Sequence, residues 1–172
     1  ELHTNGSLRS EAWWRDFTAL LDKRDFIVFS VDGIETNHLY RQRTDINKIL
    51  ANMRVVSESP ARLFWDYHVF KHNEHELERA KEIARELNVA HFRIRRTPRF
   101  EHYQPFPVMN TKGEVTHYLE PPDNPELRHP NLEKIKATTH YRADATDNDK
   151  LAADVKQMSL KRTQKIIAHV PI

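Results

Sequence analysis

The first hundred residues alternate between short runs typical of strands and longer stretches with helical periodicity. The run 26–30 (Phe-Ile-Val-Phe-Ser) is apolar, rich in aromatic and β-branched side chains and free of charge. Such a run is typical of a strand that is buried on both faces of a sheet. Three similar segments predict further strands at residues 1–6, 63–70 and 91–95.

The stretches between these strands predict three amphipathic helices. Ser7 or Ser10 can cap the first helix, and the second begins near Asp45. Asn73 and Glu76 have the spacing of a capping box before the third. The apolar positions of the three helices are, in order, Trp13, Phe17, Leu20 and Leu21; Ile46, Ile49, Leu50 and Met53; and Leu77, Ala80, Ile83, Ala84 and Leu87.

The predicted order is therefore a strand and a helix, repeated three times, followed by a closing strand. Short connections between alternating strands and helices favour a parallel sheet with right-handed crossovers. The sequence predicts an α/β domain over residues 1–100.

The pattern changes after Thr97. Eight of the nine prolines lie from Pro98 onward, and helical periodicity fades. Two short runs, 106–109 and 114–119, flank an Asn-Thr-Lys-Gly turn at 110–113 and predict a hairpin. A helix is predicted from about Asp147 and a last strand at 165–170. Residues 101–172 are thus interpreted as an irregular, proline-rich extension.

Composition excludes several classes of function. The 172 residues carry a formal net charge of +2, which is too balanced to indicate nucleic-acid binding. No apolar run approaches the ~20 residues that cross a bilayer, so we expect a cytoplasmic protein without a membrane partner. Cysteine is absent, which excludes disulfides, thiolate metal sites and a self-contained iron–sulfur cluster.

Polar residues follow the predicted strands where each one ends. In a parallel sheet these ends lie side by side along one rim, the usual position of a ligand. A rim with hydroxyl, amide, carboxylate and guanidinium groups suits a polar molecule that has both a carboxylate and an amine. The candidate binding residues are Thr4, Asn5, Ser30, Asp32, Asn73 and Arg96, together with Arg41, which can clamp a carboxylate from the following loop.

Each candidate also has a purely structural interpretation. Asn5 can belong to a turn, Ser30 can simply end a strand, and Asp32 can be solvated in a turn. Asn73 can act only as a helix cap and Arg41 only as a surface arginine. The four nearby arginines are either a solvated strip, which we favour, or a phosphate contact: Arg93, Arg95, Arg96 and Arg99.

Three histidines, His68, His72 and His75, lie close together in the sequence. Their spacing does not match the His-Glu-x-x-His pattern of zinc hydrolases, and they fall on a predicted strand, a turn and a helix start. We therefore predict no metal site here.

Four segments together resemble radical S-adenosylmethionine enzymes of the SPASM type. They are Thr4-Asn5-Gly6; Ser30-Val31-Asp32-Gly33 with Tyr40-Arg41; residues 64–76; and residues 92–96. Their order and spacing are similar to the third, fourth, fifth and sixth strands of that family. The resemblance covers about residues 1–100.

The resemblance implies a partial (β/α)6 barrel. In the family, a 4Fe–4S cluster on three cysteines cleaves S-adenosylmethionine reductively to a 5′-deoxyadenosyl radical, which abstracts a hydrogen from a small-molecule or peptide substrate. The electron comes from a reductant such as flavodoxin or ferredoxin.

The family's binding residues transfer to this sequence position by position. Thr4, with Asn5 beside it, would lie near the ribose or amino-acid part of the cofactor. Ser30 and Arg41 would contact its carboxylate, and Asp32 would support that loop. Arg96 would pass near the adenine, and Asn73 is assigned less firmly because its capping role suffices.

The sequence departs from the family in lacking the cysteine triad and the glycine-rich second-strand segment. Residues 98–172 resemble the linker before a cysteine-rich domain. We therefore expect an internal fragment of a longer enzyme, inactive alone. Two alternatives stay open: a non-catalytic α/β module that binds a small molecule, and a cysteine-free scaffold homologue.

Overall fold

The computed structural model describes residues 1–101 and 105–130. Six strands and four α-helices lie in these ranges: β1 (Leu2–Thr4), α1 (Glu11–Thr18), β2 (Phe26–Ser30), α2 (Asn37–Tyr40), α3 (Ile46–Ser57), β3 (Arg62–His68), α4 (Leu77–Glu86), β4 (His91–Arg95), β5 (Phe106–Met109) and β6 (Val115–Leu119). Short 3₁₀ turns precede α4 and flank the β5–β6 pair. The predicted alternation of strands and helices is confirmed, and α2 is an element that the sequence pattern did not indicate.

Strands β1 to β4 form one parallel sheet whose spatial order is the chain order. Thr4 lies opposite Phe29, Ser30 opposite Asp66, and His68 opposite Arg95. The protein is therefore of mixed α/β class, as predicted. The register brings the carboxyl ends of the four strands to one edge of the sheet.

All three longer helices pack on the same face of the sheet, named here the helix face. Alternate residues of β2 and β3, including Ile27, Phe29 and Trp65, share one buried cluster with residues of α1, α3 and α4. The intervening residues point the other way, onto what we name the opposite face. There the rings of Phe26 and Phe64 stack 4.8 Å apart.

The predicted apolar stripes are confirmed for α3 and α4 and are shifted for α1. Ile49 and Met53 are fully buried, and Asp45 caps α3. In α1, Trp14 and Thr18 face the core, whereas Trp13 is 37% exposed and Leu20 is 83% exposed. The helix ends at Thr18, so Leu20 lies beyond it and does not extend the stripe.

The predicted hairpin is confirmed as the antiparallel pair β5–β6. It contacts the loops of the parallel sheet through a second small core of Phe70, Phe100, Val108 and Leu119. The helix expected from Asp147 and the strand expected at 165–170 lie outside the described residues.

Within residues 1–101 and 105–130, no helix combines the length and the apolar character that crossing a membrane requires.

Replacing Gly6 by alanine should destabilise the fold more than the same change at Gly113. Both glycines have positive φ, +72° and +80°, where an L-residue costs about 1–2 kcal/mol. A Cβ at Gly6 would also lie 2.4 Å from the ring of Phe29, which is fully buried, whereas none lies within 4 Å at Gly113. Overpacking adds about 1–3 kcal/mol. Urea denaturation measures both variants, and equal losses would contradict the close approach of Gly6 to Phe29.

Candidate functional site

The carboxyl ends of β2 and β3 meet around Asp32, whose side chain is fully buried. One carboxylate oxygen accepts a hydrogen bond from Arg41 Nε at 2.7 Å. The other accepts from the backbone N–H of His68 at 2.7 Å and lies 3.2 Å from His68 Nδ1. Burying an ionised carboxylate is costly unless it is paired and hydrogen-bonded, and Asp32 meets both conditions. The alternative interpretation of Asp32 as a solvated residue of a turn is therefore wrong.

Asn73 joins this arrangement from the next loop and is also fully buried. Its Nδ2 donates to the carbonyls of Asp32 (2.6 Å) and His68 (2.9 Å), and its Oδ1 accepts from Phe70 N at 2.7 Å. We name Asp32, Arg41, His68 and Asn73 the Asp32 cluster.

The predicted capping box is wrong. The Asn73 side chain makes no capping hydrogen bond to the turn that follows it. Its amide instead bonds to Asp32 and His68 of the Asp32 cluster and to the backbone N–H of Phe70. Glu76, the other member of the predicted pair, turns toward the loop after β2.

Glu76 is 6% exposed and accepts hydrogen bonds from three consecutive backbone N–H groups. Ile34 N is one donor, and Glu35 N and Thr36 N lie 2.9 and 3.1 Å from its carboxylate oxygens. Burial alone would raise the pKa of Glu76, but the hydrogen bonds from Thr36, Ile34 and Glu35 outweigh burial and lower it. The carboxylate therefore holds the loop in place in its charged form.

The remainder of that loop is fixed by side chains that flank Arg41. Asn37 accepts from Asp32 N through its Oδ1 at 2.8 Å and donates to Thr44 Oγ1 at 2.9 Å. Thr44 in turn donates to the carbonyl of Arg41 at 2.6 Å. These bonds close the loop on itself, so the position of Arg41 is set from both sides.

The structure brings Asp32, Arg41 and Asn73 together and leaves the other predicted residues apart. Ser30 ends β2, and its hydroxyl has no hydrogen-bond partner among the described residues. Thr4 Oγ1 accepts from Gly6 N at 2.9 Å, and Asn5 Oδ1 accepts from the backbone and hydroxyl of Ser7 at 3.2 Å. The turn interpretation therefore accounts for these contacts of Thr4 and Asn5. Arg96 is exposed just after β4.

The interpretation of the arginines as a solvated strip does not account for two of them, which pair with a buried carboxylate. Arg93 and Arg95 both meet the carboxylate of Asp66 through Nε, at 2.5 and 3.1 Å. Asp66 is 5% exposed and lies on the opposite face. Arg99 lies 5.1 Å from the centre of the Tyr40 ring, on the side of the sheet's rim that contacts the hairpin.

The three clustered histidines have different neighbours. His68 contacts Asp32, His72 stacks on Phe70 at 5.3 Å, and the His75 side chain is 67% exposed. Among the residues that the structure describes, no three His, Cys, Asp or Glu side chains are grouped so as to hold a metal ion.

His68, Asp66 and Glu76 were not among the predicted site residues. Asp66 and His68 are two residues apart in β3 and therefore lie on the same face of the sheet, and this spacing could be seen in the sequence. Nothing local indicates the partners of Glu76, which lie 40 to 42 residues earlier in the chain.

A scan of protein-family models gave no match to the chain, and a search of curated protein sequences gave none either.

Glu76→Gln should destabilise the protein by about 1–3 kcal/mol, because a glutamine turns one acceptor oxygen into an amide that faces N–H donors. Glu78→Gln is the matched control, since Glu78 is exposed and pairs with Lys81 at 2.7 Å. A surface pair of this kind contributes under about 1 kcal/mol. Thermal unfolding at neutral pH compares the two; equal midpoints would contradict the role of Glu76.

His72 should make the protein less stable below neutral pH. Burial lowers the pKa of His72 to about 4, and its Nε2 is buried without a partner among the described residues. Between this value and the unfolded pKa of about 6.5 only the unfolded chain takes up the proton. The contribution of neutral His72 to the free energy of unfolding is therefore present above about pH 6.5. It falls by about 2 kcal/mol on going from pH 7 to pH 5.

The control for this titration is His72→Phe, which keeps a ring against Phe70 and removes the titrating group. Urea denaturation at pH 5 and pH 7 should show a smaller pH effect in the variant. The same effect in both proteins would show that His72 does not cause it.

Proposed function

We propose that the rim around the Asp32 cluster binds S-adenosylmethionine and that the chain is part of a radical S-adenosylmethionine enzyme. The observation that carries the proposal is the state of Arg41. Its Nε donates to buried Asp32, its side chain is 21% exposed, its guanidinium lies 5.3 Å from the centre of the Tyr40 ring, and its terminal nitrogens have no hydrogen-bond partner among the described residues. A guanidinium oriented in this way can take a carboxylate with its two remaining nitrogens.

The position of Ser30 supports the same ligand. Ser30 is the last residue of β2, the strand that leads into Asp32 and the loop with Arg41. Its hydroxyl has no hydrogen-bond partner among the described residues. A hydroxyl and a guanidinium at the carboxyl end of a parallel strand suit the carboxylate of an amino-acid moiety. Thr4 and Asn5 keep a proposed role only as the neighbouring edge of this rim, since part of their hydrogen-bonding capacity is used in the turn.

The winding of the sheet supports a partial barrel. Parallel strands in chain order, with every longer helix on the same face, are wound in one direction only. A doubly wound sheet would reverse its order and carry helices on both faces. A singly wound sheet is the arrangement that closes into a (β/α) barrel.

The residues of this chain do not fit an iron–sulfur cluster, because it has no cysteine. Cluster ligands would have to come from outside the sequence. No catalytic step is therefore assigned to a residue of this chain, and the proposed roles are to bind and orient the cofactor. The same absence favours a second candidate, a small-molecule-binding module without chemistry.

Arg41→Ala should weaken the binding of S-adenosylmethionine by about tenfold or more, since it removes a charge-assisted pair worth about 1.5–3 kcal/mol. Ser30→Ala should weaken it less, because a neutral hydrogen bond contributes about 1 kcal/mol. Arg43→Ala is the control: Arg43 is exposed two residues away and contacts Thr111. Isothermal titration calorimetry on the 172-residue chain measures all three.

The proposal would be contradicted if Arg41→Ala and Ser30→Ala both kept the affinity for S-adenosylmethionine, or if the unaltered chain did not bind it. If the unaltered chain binds S-adenosylmethionine, both candidates survive. They then differ in whether the longer protein cleaves the cofactor under reduction.

A further inference from the structure

Asp66, Arg93 and Arg95 form a second polar group, on the opposite face of the sheet. Both arginines approach the Asp66 carboxylate through Nε and keep their terminal nitrogens directed elsewhere. The three side chains carry a net charge of +1. Asp66 alone cannot neutralise both guanidinium groups.

Arg93 shows that the group is incomplete. Its Nη2 is buried and has no hydrogen-bond partner among the described residues. The guanidinium lies 5.4 Å from the centre of the Phe64 ring, which fixes its plane but accepts no strong hydrogen bond. A buried N–H without an acceptor is unfavourable, so an added acceptor at this position would be stabilising.

Arg95 provides the accessible part of the same group. Its side chain is 45% exposed, compared with 29% for Arg93 and 8% for Asp66. An oxyanion that enters from solvent would meet Arg95 first and would need a side-chain movement to reach the buried nitrogen of Arg93. Guanidinium groups bind both carboxylate and phosphate in this way.

The group lies beside the proposed cofactor rim. Ser30 pairs with Asp66 in the sheet, and Asp66 pairs with Arg93. Two strand spacings separate Ser30 from Arg93, or about 10 Å. His68, which contacts Asp32, pairs with Arg95. A ligand on the arginines would therefore lie next to a ligand on the rim.

We propose that Arg93 and Arg95, held by Asp66 on the face opposite the helices, bind the oxyanion of an anionic substrate, either a carboxylate or a phosphate. The identification of this ligand as the substrate rests on the proposed function. The anion site itself rests only on the geometry of the three residues.

The test titrates the 172-residue chain with inorganic phosphate and with succinate, followed by NMR. Arg95→Gln should weaken binding by about tenfold. Arg85→Gln, an exposed arginine on α4, should leave it unchanged. The tighter of the two probes identifies the substrate as phosphorylated or carboxylic.

Asp66→Asn separates a binding role from a structural one. If the arginines serve an anion, removing the competing carboxylate should make binding several-fold tighter. If Asp66 and its partners only stabilise the sheet, Asp66→Asn should lower the unfolding temperature with no gain in affinity. No binding by either the unaltered chain or Asp66→Asn, or equal affinities of Arg95→Gln and Arg85→Gln, would overturn the proposal.

The two proposals can fail separately. If S-adenosylmethionine does not bind and Arg95→Gln still weakens phosphate or succinate binding, the rim assignment is lost and the anion site remains. If S-adenosylmethionine binds with the expected dependence on Arg41, and Arg95→Gln does not change the affinity for phosphate or succinate, the anion site is contradicted and the proposed cofactor rim stands.

Discussion

The burial of the Asp32 carboxylate constrains the whole carboxyl edge of the sheet. A buried charge must be paired and hydrogen-bonded, and the partners of Asp32 come from the loop after β2 and the end of β3. The ion pair with Asp32 sets the direction of the Arg41 side chain. Asn73 donates to the backbone carbonyl of Asp32 and so connects it to the loop after β3. Hydrogen bonds and an ion pair of buried polar groups therefore hold this part of the rim together.

Glu76 extends the same principle to the loop itself. Three N–H groups of consecutive residues would otherwise need water, and one carboxylate from the turn before α4 satisfies them. Two buried acids thus hold one loop from two sides. An arginine on such a loop is pre-oriented, which would lower the entropy lost in binding the proposed carboxylate.

The two faces of the sheet differ in the side chains that they carry. The helix face holds the apolar cluster shared by three helices and most of the buried hydrophobic side chains. The opposite face holds Asp66 with two arginines, next to the stacked Phe26 and Phe64 rings. The period of two along each strand allows this division, since neighbouring residues face opposite ways.

The sequence by itself determined the strands, the longer helices, the parallel α/β class and the hairpin, because each depends on local periodicity and turn residues. It also located Asp32 and Arg41, since polar residues at a strand end are a local signal. Only the tertiary structure decided that Asn73 and Glu76 do not form a capping box, and that Arg93 and Arg95 both pair with Asp66. These side chains have partners up to 42 residues away. When a buried distant acceptor and a local cap compete for one polar group, the cost of leaving the buried group unpaired decides the outcome, and that cost depends on burial, which only the folded chain defines.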